Sequence, residues 1–483
     1  MDLTKVDRYL ELWTESESTA TRMLSILNIL RTERGVLVHV YGRSIAKVST
    51  TDILKVHRHA RLVMGRELTV QDTYPVIQAV GKLDLGPCRI DLGKLTVKFQ
   101  NIDGDVNLDD FVASELESVS TGVIQVLSEP RDVVLYGFGR IGRLVARVLL
   151  DKVGRGDKLR PKAIVVRKTD LADLKKRTAL LRLDSVHGTF PGTIQIDEEE
   201  NAIVANGNMM RIIAADGPDK VDYTKYGINN AIVVDNTGMW RDREGLEQHL
   251  KSKGVDKVLL TAPGKGDIPN IVHGVNHHTL SDDEKIVSAA SCTTNAIAPI
   301  LDVINKKFGV VSGHIESCHA YTNDQNLIDN YHKSPRRGRA AAMNMVITST
   351  GAAKAVAIVL PELKGKLTGN AIRVPTPNVS LAILKLTLAK ETTVNELNET
   401  LRRMSLNSPL QNQIDYTNSS DIVSCDIVGS RHAGVVDGQA TIVNEAQPTN
   451  VVLYIWYDNE FGYTCQLMRV IQQMAGINLA ELP

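Results

Sequence analysis

Four consecutive apolar residues, Val133-Val134-Leu135-Tyr136, run straight into Gly137-Phe138-Gly139-Arg140-Ile141-Gly142, and a helical stretch from Leu144 to Leu150 follows. A short all-apolar run suits a strand buried on both faces, as in a parallel sheet. Gly137 can make the tight turn, Gly139 lets the backbone approach a ligand, and Gly142 lets helix and strand pack closely. Free N–H groups at such a helix start attract an anion, so Gly137, Phe138, Gly139, Arg140, Ile141 and Gly142 read as a pyrophosphate-binding loop. A purely structural turn is the alternative reading of the same glycines.

The pattern repeats downstream. Ala163 to Val166, Ala231 to Val234 and Val258 to Thr261 are further strand runs, separated by helical signals. That alternation argues for a wound α/β domain of Rossmann type with a parallel sheet. After Cys292 a helix is expected from about Asn295 to Phe308. The β-prone runs Leu381 to Leu388, Thr441 to Val443 and Val451 to Tyr457 then suit the mixed sheet of an α+β substrate domain. A last helical segment spans Cys465 to Ile477. The expected division is 131–291 for dinucleotide binding, 292–462 for catalysis and substrate, and 463–483 as a C-terminal helix returning to the dinucleotide-binding domain.

Residues 1–130 read differently, as a mostly helical extension. Val6, Leu10, Trp13, Leu24, Leu27 and Leu30 recur largely at helical offsets, and Thr51-Asp52 precedes a second apolar-periodic stretch. No chemistry is visible there. The extension is expected to pack on its own chain or on a neighbouring subunit, with a regulatory or partner-binding role as the other reading.

Among 483 residues, Lys plus Arg equals Asp plus Glu at 56 each, so no global charge draws the chain to nucleic acid or to an anionic membrane. Cys88, Cys292, Cys318, Cys425 and Cys465 are odd in number and widely spaced. That suits a reducing compartment, and no metal site is expected. With no basic-then-apolar leader, the chain is expected to be cytoplasmic.

The sharpest chemical candidate is Cys292 in Ala290-Ser291-Cys292-Thr293-Thr294-Asn295, twenty-seven residues before His319. An inert buried thiol, a redox-labile thiol and a catalytic nucleophile all remain open for it. Hydroxyls and a helix start around the sulfur favour a thiolate, and a nearby imidazole would stabilise it as an ion pair. Thr322, Arg339, Thr350, Gly351 and Arg373 supply the hydroxyls and guanidinium groups of an anion clamp. At the end of the second strand, Arg167-Lys168-Thr169-Asp170 offers Lys168 or Asp170 at the position that meets the adenosine ribose. NAD and NADP both stay open.

Five motifs in order carry a specific resemblance. They are Ala290 to Asn295, His319 to Gln325, Ser349 to Ala355, Arg373 to Asn378 and Trp456 to Tyr463. Together they resemble phosphorylating glyceraldehyde-3-phosphate dehydrogenases from about Asp132 to the C-terminus. The first 130 residues, which a typical member lacks, mark an extended form. The resemblance implies Cys292 as nucleophile and His319 as base, with Thr322 and Arg373 holding the substrate phosphate. It implies Ser291, Thr293, Thr350 and Gly351 for inorganic phosphate, and Asn459 and Tyr463 on the nicotinamide side. Arg339 falls in a loop similar to the family's cofactor-bordering loop. The implied reaction converts glyceraldehyde 3-phosphate and inorganic phosphate to 1,3-bisphosphoglycerate with NAD, or NADP, in a homotetramer. Two departures are Ala296, where the family has a second cysteine, and Cys318 before the histidine. An erythrose-4-phosphate dehydrogenase and a non-catalytic scaffold are the competing functions.

Overall fold

The computed structural model describes residues 3–120, 127–154 and 158–483, with side chains from Asp7 onward. Two compact units emerge. One comprises 1–130 with 154–158 and 476–483, the other 131–153 with 159–475.

The first unit begins with α1 (Leu3–Arg34), then β1 (Leu37–Val40), β2 (Arg43–Ser44), α2 (Thr50–Met64) and α3 (Val70–Lys82). β3 (Cys88–Asp91), α4 (Leu92–Gln100) and α5 (Leu108–Glu115) follow. α2 is capped at Ser49, two residues earlier than expected. Ser49 accepts from the Asp52 amide while Asp52 returns a bond to the Ser49 amide, a reciprocal box that satisfies two otherwise orphaned donors. The apolar stripe of α1 is only partly used within this unit. Ala20, Met23, Leu27 and Leu30 are buried, whereas Leu10 and Trp13 are exposed. Val6 lies outside the described side chains.

The second unit carries two eight-stranded sheets. The first is built from β4 (Arg131–Tyr136), β5 (Leu159–Val166), β6 (Ile194–Asp197), β7 (Ala202–Ala205) and β8 (Asn208–Ala214). β9 (Ala231–Asp235), β10 (Val255–Leu260) and β11 (Ile286–Ser288) complete it. Its order is β11-β10-β9-β4-β5-β8-β7-β6, parallel from β11 to β8 and antiparallel beyond. α6 (Arg140–Lys152) leaves β4, α7 (Leu171–Arg182) follows β5, and α8 (Arg243–Leu250) follows β9. The chain winds outward in both directions from β4, so the C-terminal end of β4 is the switch point where α/β sheets bind ligands. The Rossmann-type architecture expected from the sequence is present.

The second sheet starts after α9 (Cys292–Phe308), which begins three residues before the expected helix and so makes Cys292 its first residue. β12 (Val310–Ala320), β13 (Val346–Ser349), α10 (Ala352–Val359), β14 (Leu367–Val374) and β15 (Ser380–Leu388) come next. α11 (Val394–Leu406), β16 (Ile414–Thr417), β17 (Gly434–Asp437), β18 (Ile442–Asn444), β19 (Gln447–Tyr457) and α12 (Phe461–Met474) follow. The order is β13-β14-β12-β15-β19-β17-β16, and β18 pairs with β19. One core joins this sheet to α9, with Ile297, Ile300, Leu301, Ile304, Ile315, Leu384 and Leu453 among its members. Among the described residues no helix is long and apolar enough to cross a membrane, and no cluster of His, Cys, Asp and Glu is arranged for a metal.

The last strand, β20 (Ala480–Leu482), was not foreseen. It pairs in parallel with β3 and completes the first unit's sheet in the order β2-β1-β3-β20. Ala480 and Leu482 pack on that unit's core, and Glu481 bonds Arg89 at 2.6 Å. The residues after α12 thus belong to the extension's unit. The absence of a long apolar run made this strand invisible to periodicity. Leu482→Asp is expected to lower the stability of the first unit by about 1–2 kcal/mol through lost apolar burial. Hydrogen exchange should quicken in β3 and leave β4 and β9 as they were. Equal protection of β3 in both proteins would contradict this pairing.

Candidate active site

The thiol is delivered by a constrained loop. β11 ends at Ser288, and Ala290 takes φ +55°, a conformation that costs a non-glycine residue about 1 kcal/mol or more. Three bonds hold the loop there. The Tyr463 hydroxyl donates to the Ala290 carbonyl at 3.1 Å, and Asn295 Nδ2 donates to the Ala289 and Ser291 carbonyls at 2.8 and 3.0 Å. Ser291 caps α9 by accepting from the Thr294 amide at 3.0 Å. Cys292 therefore opens a helix whose first N–H groups have no carbonyl partners, a site suited to developing negative charge.

His319 arrives from the end of β12, and its Nε2 lies 3.5 Å from Cys292 Sγ. On the neighbouring strand β14, Arg373 stands in register with His319. Its Nη1 is 2.9 Å from His319 Nδ1 and 2.9 Å from the Ala320 carbonyl, which also lies 2.7 Å from Nδ1. A carbonyl only accepts, so Nδ1 carries the hydrogen that meets Ala320, and Nε2 is left as the acceptor facing Cys292. The guanidinium beside Nδ1 acts through its charge. Burial, then the Arg373 charge, push His319 down to about 4. Burial pushes the Cys292 thiol up, against smaller lowering contributions from Thr293 and Arg373. The expected contact is made, and burial disfavours charge on both partners, against the helix start and Arg373, which favour the thiolate.

Beneath the sulfur runs a chain of buried hydroxyls. Thr293 Oγ1 is 3.0 Å from the Tyr457 hydroxyl, which is 2.8 Å from Ser317 Oγ. Tyr457 was not singled out from the sequence, and its place at the end of an apolar strand gave no sign of this role. Ser291 and Thr293 flank the sulfur as expected, each also tied into the protein by the bonds just described.

The basic groups separate into two. Arg337 donates to Thr348 Oγ1 at 3.1 Å and to Asp324 at 2.7 Å, and its charge reaches both His319 and Arg373, lowering the pKa of each. Arg339 instead pairs with Asp329 at 2.8 Å on a largely exposed side chain. Arg337 is thus an arginine of this loop whose charge acts on His319 and Arg373, a role of which the sequence bore no sign. Thr322 follows β12, and its hydroxyl has no protein partner among the described residues. Thr350 and Gly351 lie past Ser349, whereas Val346 is the β13 residue opposite Arg373. The two lie four and five residues on from Val346, about 13–17 Å along the ladder from Arg373. They form a second locus at the start of α10, where Gly351 provides no side-chain cap and the Thr350 hydroxyl accepts from the Ala352 amide at 3.2 Å.

The glycine loop has the geometry its sequence implied. Gly137 takes φ +90°, and a Cβ on Gly142 would sit 2.4 Å from the Gly137 carbonyl oxygen. A Cβ on Gly139 would meet nothing within 4 Å, and α6 starts there without a side-chain cap. Phe138 is buried. Arg140 is committed elsewhere: it grips Glu460 through Nε and Nη2 at 2.6–2.9 Å and also bonds Asp184. It ties the loop to the segment carrying Asn459. Asn459 is buried and accepts from Ser380 Oγ at 2.9 Å. Lys168 and Asp170 are exposed beyond β5, and Asp170 caps α7 by accepting from the Asp173 amide at 2.7 Å. The open face at Gly139, the uncapped start of α6 and the Asn459 amide fit a dinucleotide.

Comparison with known families agrees with this geometry. Residues 131–243 match the glyceraldehyde 3-phosphate dehydrogenase NAD binding domain, and 291–459 match the C-terminal domain of the same enzymes. A glyceraldehyde-3-phosphate dehydrogenase-like protein of Pseudomonas aeruginosa strain UCBPP-PA14 is 56% identical over 463 residues, covering 95% of this chain and 100% of the relative. This chain belongs to the glyceraldehyde-3-phosphate dehydrogenase family. It is an NAD(P)-dependent oxidoreductase of that family with an N-terminal extension. The glyceraldehyde-3-phosphate dehydrogenases of Zymomonas mobilis and Borreliella burgdorferi are 41% and 40% identical, each aligning with 71% of this chain and 98–99% of its own length. The Pseudomonas relative therefore shares the extension that these shorter enzymes do not match.

Two glycine substitutions should separate packing from ligand approach. Gly142→Ala is expected to cost about 1–3 kcal/mol, because its methyl meets backbone that has no room to move. Gly139→Ala should melt like the native protein yet bind NAD at least several-fold more weakly, since its methyl enters space left for the pyrophosphate. Thermal melts and calorimetric NAD titrations check both. Native-like NAD affinity in Gly139→Ala would contradict the assigned cradle.

Proposed function

We propose that this enzyme oxidises and phosphorylates D-glyceraldehyde 3-phosphate to 1,3-bisphosphoglycerate through a thioester on Cys292, reversibly. The observation that carries the reading is the 3.5 Å Cys292–His319 contact, with Arg373 in register beside the imidazole and a second anion locus at Thr350-Gly351. Two separate anion loci suit a substrate phosphate and an incoming phosphate.

Cys292 Sγ adds to the aldehyde carbon as its proton passes to His319 Nε2, which then protonates the aldehyde oxygen to leave a thiohemiacetal. The first free N–H groups of α9 and the imidazolium stabilise the oxyanion in passing. His319 next withdraws the hydroxyl proton while hydride departs from C1, and the carbonyl re-forms as a thioester. When bound, NAD supplies the hydride acceptor. An oxygen of inorganic phosphate, held by Ser291, Thr293, Thr350 and Gly351, attacks the thioester and expels Cys292 sulfur as thiolate. Thr322 and Arg373 hold the C3 phosphate, and Arg337 adds positive charge beside them. Anion binding draws Arg373 toward the phosphate and partly neutralises it, which relieves the depression of the His319 pKa. Retention of the second anion locus favours phosphorolysis over the hydrolysis that an erythrose-4-phosphate dehydrogenase would require.

For the cofactor we assign NAD, with NADP tolerated. Asp170, exposed just beyond β5, supports a ribose contact, while Lys168 and Arg167 lie on the same exposed segment and suit a 2′-phosphate. Tyr463 holds the nucleophile loop from behind and borders the nicotinamide side with Asn459. A homotetramer is the assembly we assign. Its support is the set of exposed apolar side chains on one loop and the adjoining strand β13: Leu327 at 81%, Tyr331 at 91%, Met343 at 84% and Ile347 at 57% exposure. Five free cysteines suit a cytoplasmic setting.

The direct test is kcat/KM for glyceraldehyde 3-phosphate and erythrose 4-phosphate, with and without inorganic phosphate, using NAD and NADP. Preference for the triose and dependence on phosphate are expected, and phosphate-independent turnover of the tetrose would overturn the reading. Cys292→Ala should lose turnover and retain NAD affinity. Turnover by that variant would place the chemistry elsewhere. The acid limb of kcat/KM should also lie below the ordinary imidazole range near pH 6.5, because a depressed pKa keeps His319 neutral and competent as the pH falls. Arg373→Leu, assayed on unphosphorylated glyceraldehyde, removes a charge that lowers this pKa, so activity should fail at a higher pH. An unmoved limb would show that Arg373 does not act on the base.

A further inference from the structure

Ser380 sits where three parts of the site meet, at the start of β15. It is fully buried and directly follows Val379, whose φ of +66° is rare for a β-branched residue. Such a conformation persists when surrounding bonds demand it. Two bonds do so here. Ser380 Oγ accepts from the Ala320 amide at 3.1 Å, immediately after the base His319, and donates to Asn459 Oδ1 at 2.9 Å. The Tyr457 hydroxyl, which meets Thr293 and Ser317, also lies within hydrogen-bonding reach of Ser380.

A serine hydroxyl carries one hydrogen. Since its oxygen already receives the Ala320 N–H, that hydrogen needs an acceptor, and it goes to Asn459 Oδ1 at 2.9 Å, an amide oxygen and so a stronger acceptor than the Tyr457 phenol. The opposite amide orientation would bring a second donor onto the same oxygen and leave the serine hydrogen only the phenol oxygen. With Oδ1 taken, Nδ2 points away from Ser380. It makes no hydrogen bond to protein among the described residues, and it is not among the sealed, unpaired polar atoms.

We propose that Ser380 is a positioning residue that locks the Asn459 amide with its NH2 group turned outward, as a donor for a carbonyl oxygen on the ligand. The proposal rests on the reading that Asn459 borders the nicotinamide, whose carboxamide has such an oxygen. Ser380 itself does not touch the ligand. Its hydroxyl decides whether the crevice presents a donor or an acceptor at that point, and it couples this choice to the strand end that carries His319.

The test is calorimetric binding of NAD and of its thionicotinamide analogue to the full chain, in native, Ser380→Ala, Asn459→Ala and doubly substituted forms. Sulfur is the poorer acceptor, so the analogue gains little from an oriented donor. Ser380→Ala should weaken NAD by about five- to ten-fold, the scale of one oriented hydrogen bond, and the analogue by less than about two-fold. Asn459→Ala should show the same selectivity, and the double variant should lose no more NAD affinity than Asn459→Ala, because the two residues act as one unit. Equal weakening of both dinucleotides, or additive losses in the double variant, would overturn the positioning role. Failure of the native chain to bind either dinucleotide would instead overturn the cofactor assignment on which the proposal rests.

Discussion

A sulfur and a ring nitrogen from different elements must be held within 3.5 Å of each other and kept from water, and much of the second unit serves that requirement. The sulfur opens α9, whose apolar face joins the main core through Ile297, Ile300, Leu301 and Ile304. The imidazole closes β12, a central strand paired on both sides, with β14 and β15. Neither element can shift without breaking a ladder or opening a cavity in a close-packed interior. Enclosure has a chemical consequence. It disfavours charge on both groups, against the pull of the helix start and of Arg373 on the thiol.

A second constraint links cofactor to chemistry. Arg140 belongs to the glycine loop by sequence, yet its guanidinium grips Glu460 and Asp184. Glu460 adjoins Asn459, and its carboxylate also meets His187 at 3.3 Å. The buried guanidinium is held charged by these two carboxylates, and the Glu460 carboxyl lies below its ordinary range, with His187 and Arg140 opposing the effect of burial. One charged cluster therefore fixes the spacing between the glycine turn and the segment that carries Asn459. Breaking one partner would leave the others buried and unpaired, which is costly.

The glycine loop and the strands around it were legible because each glycine answers a backbone demand that few other residues meet. Gly142 presses on Gly137 and Gly139 faces open space, as residue type and spacing implied. Cys292 was legible through its hydroxyl neighbours, although the helix starts earlier than its polar first turn suggested. Relations across strands were not legible. Arg337 was hidden beside Arg336 and Arg339, since adjacency in sequence does not say which side chain turns inward. Tyr457 and Ser380 were hidden because an apolar strand register reveals burial but not hydrogen bonds. The extension was read as mostly helical, and its sheet escaped notice because its strands are short and one of them comes from the far end of the chain.

The central claim is that Cys292 carries the substrate as a thioester whose natural acceptor is phosphate. Rapid acid quench of the native enzyme with glyceraldehyde 3-phosphate and NAD, but without phosphate, followed by intact-mass and peptide analysis, tests it most directly. The account predicts a 3-phosphoglyceryl adduct on Cys292 that persists under these conditions and is discharged on adding phosphate, with 1,3-bisphosphoglycerate as product. No adduct, an adduct on another cysteine, or discharge by water as fast as by phosphate would contradict it.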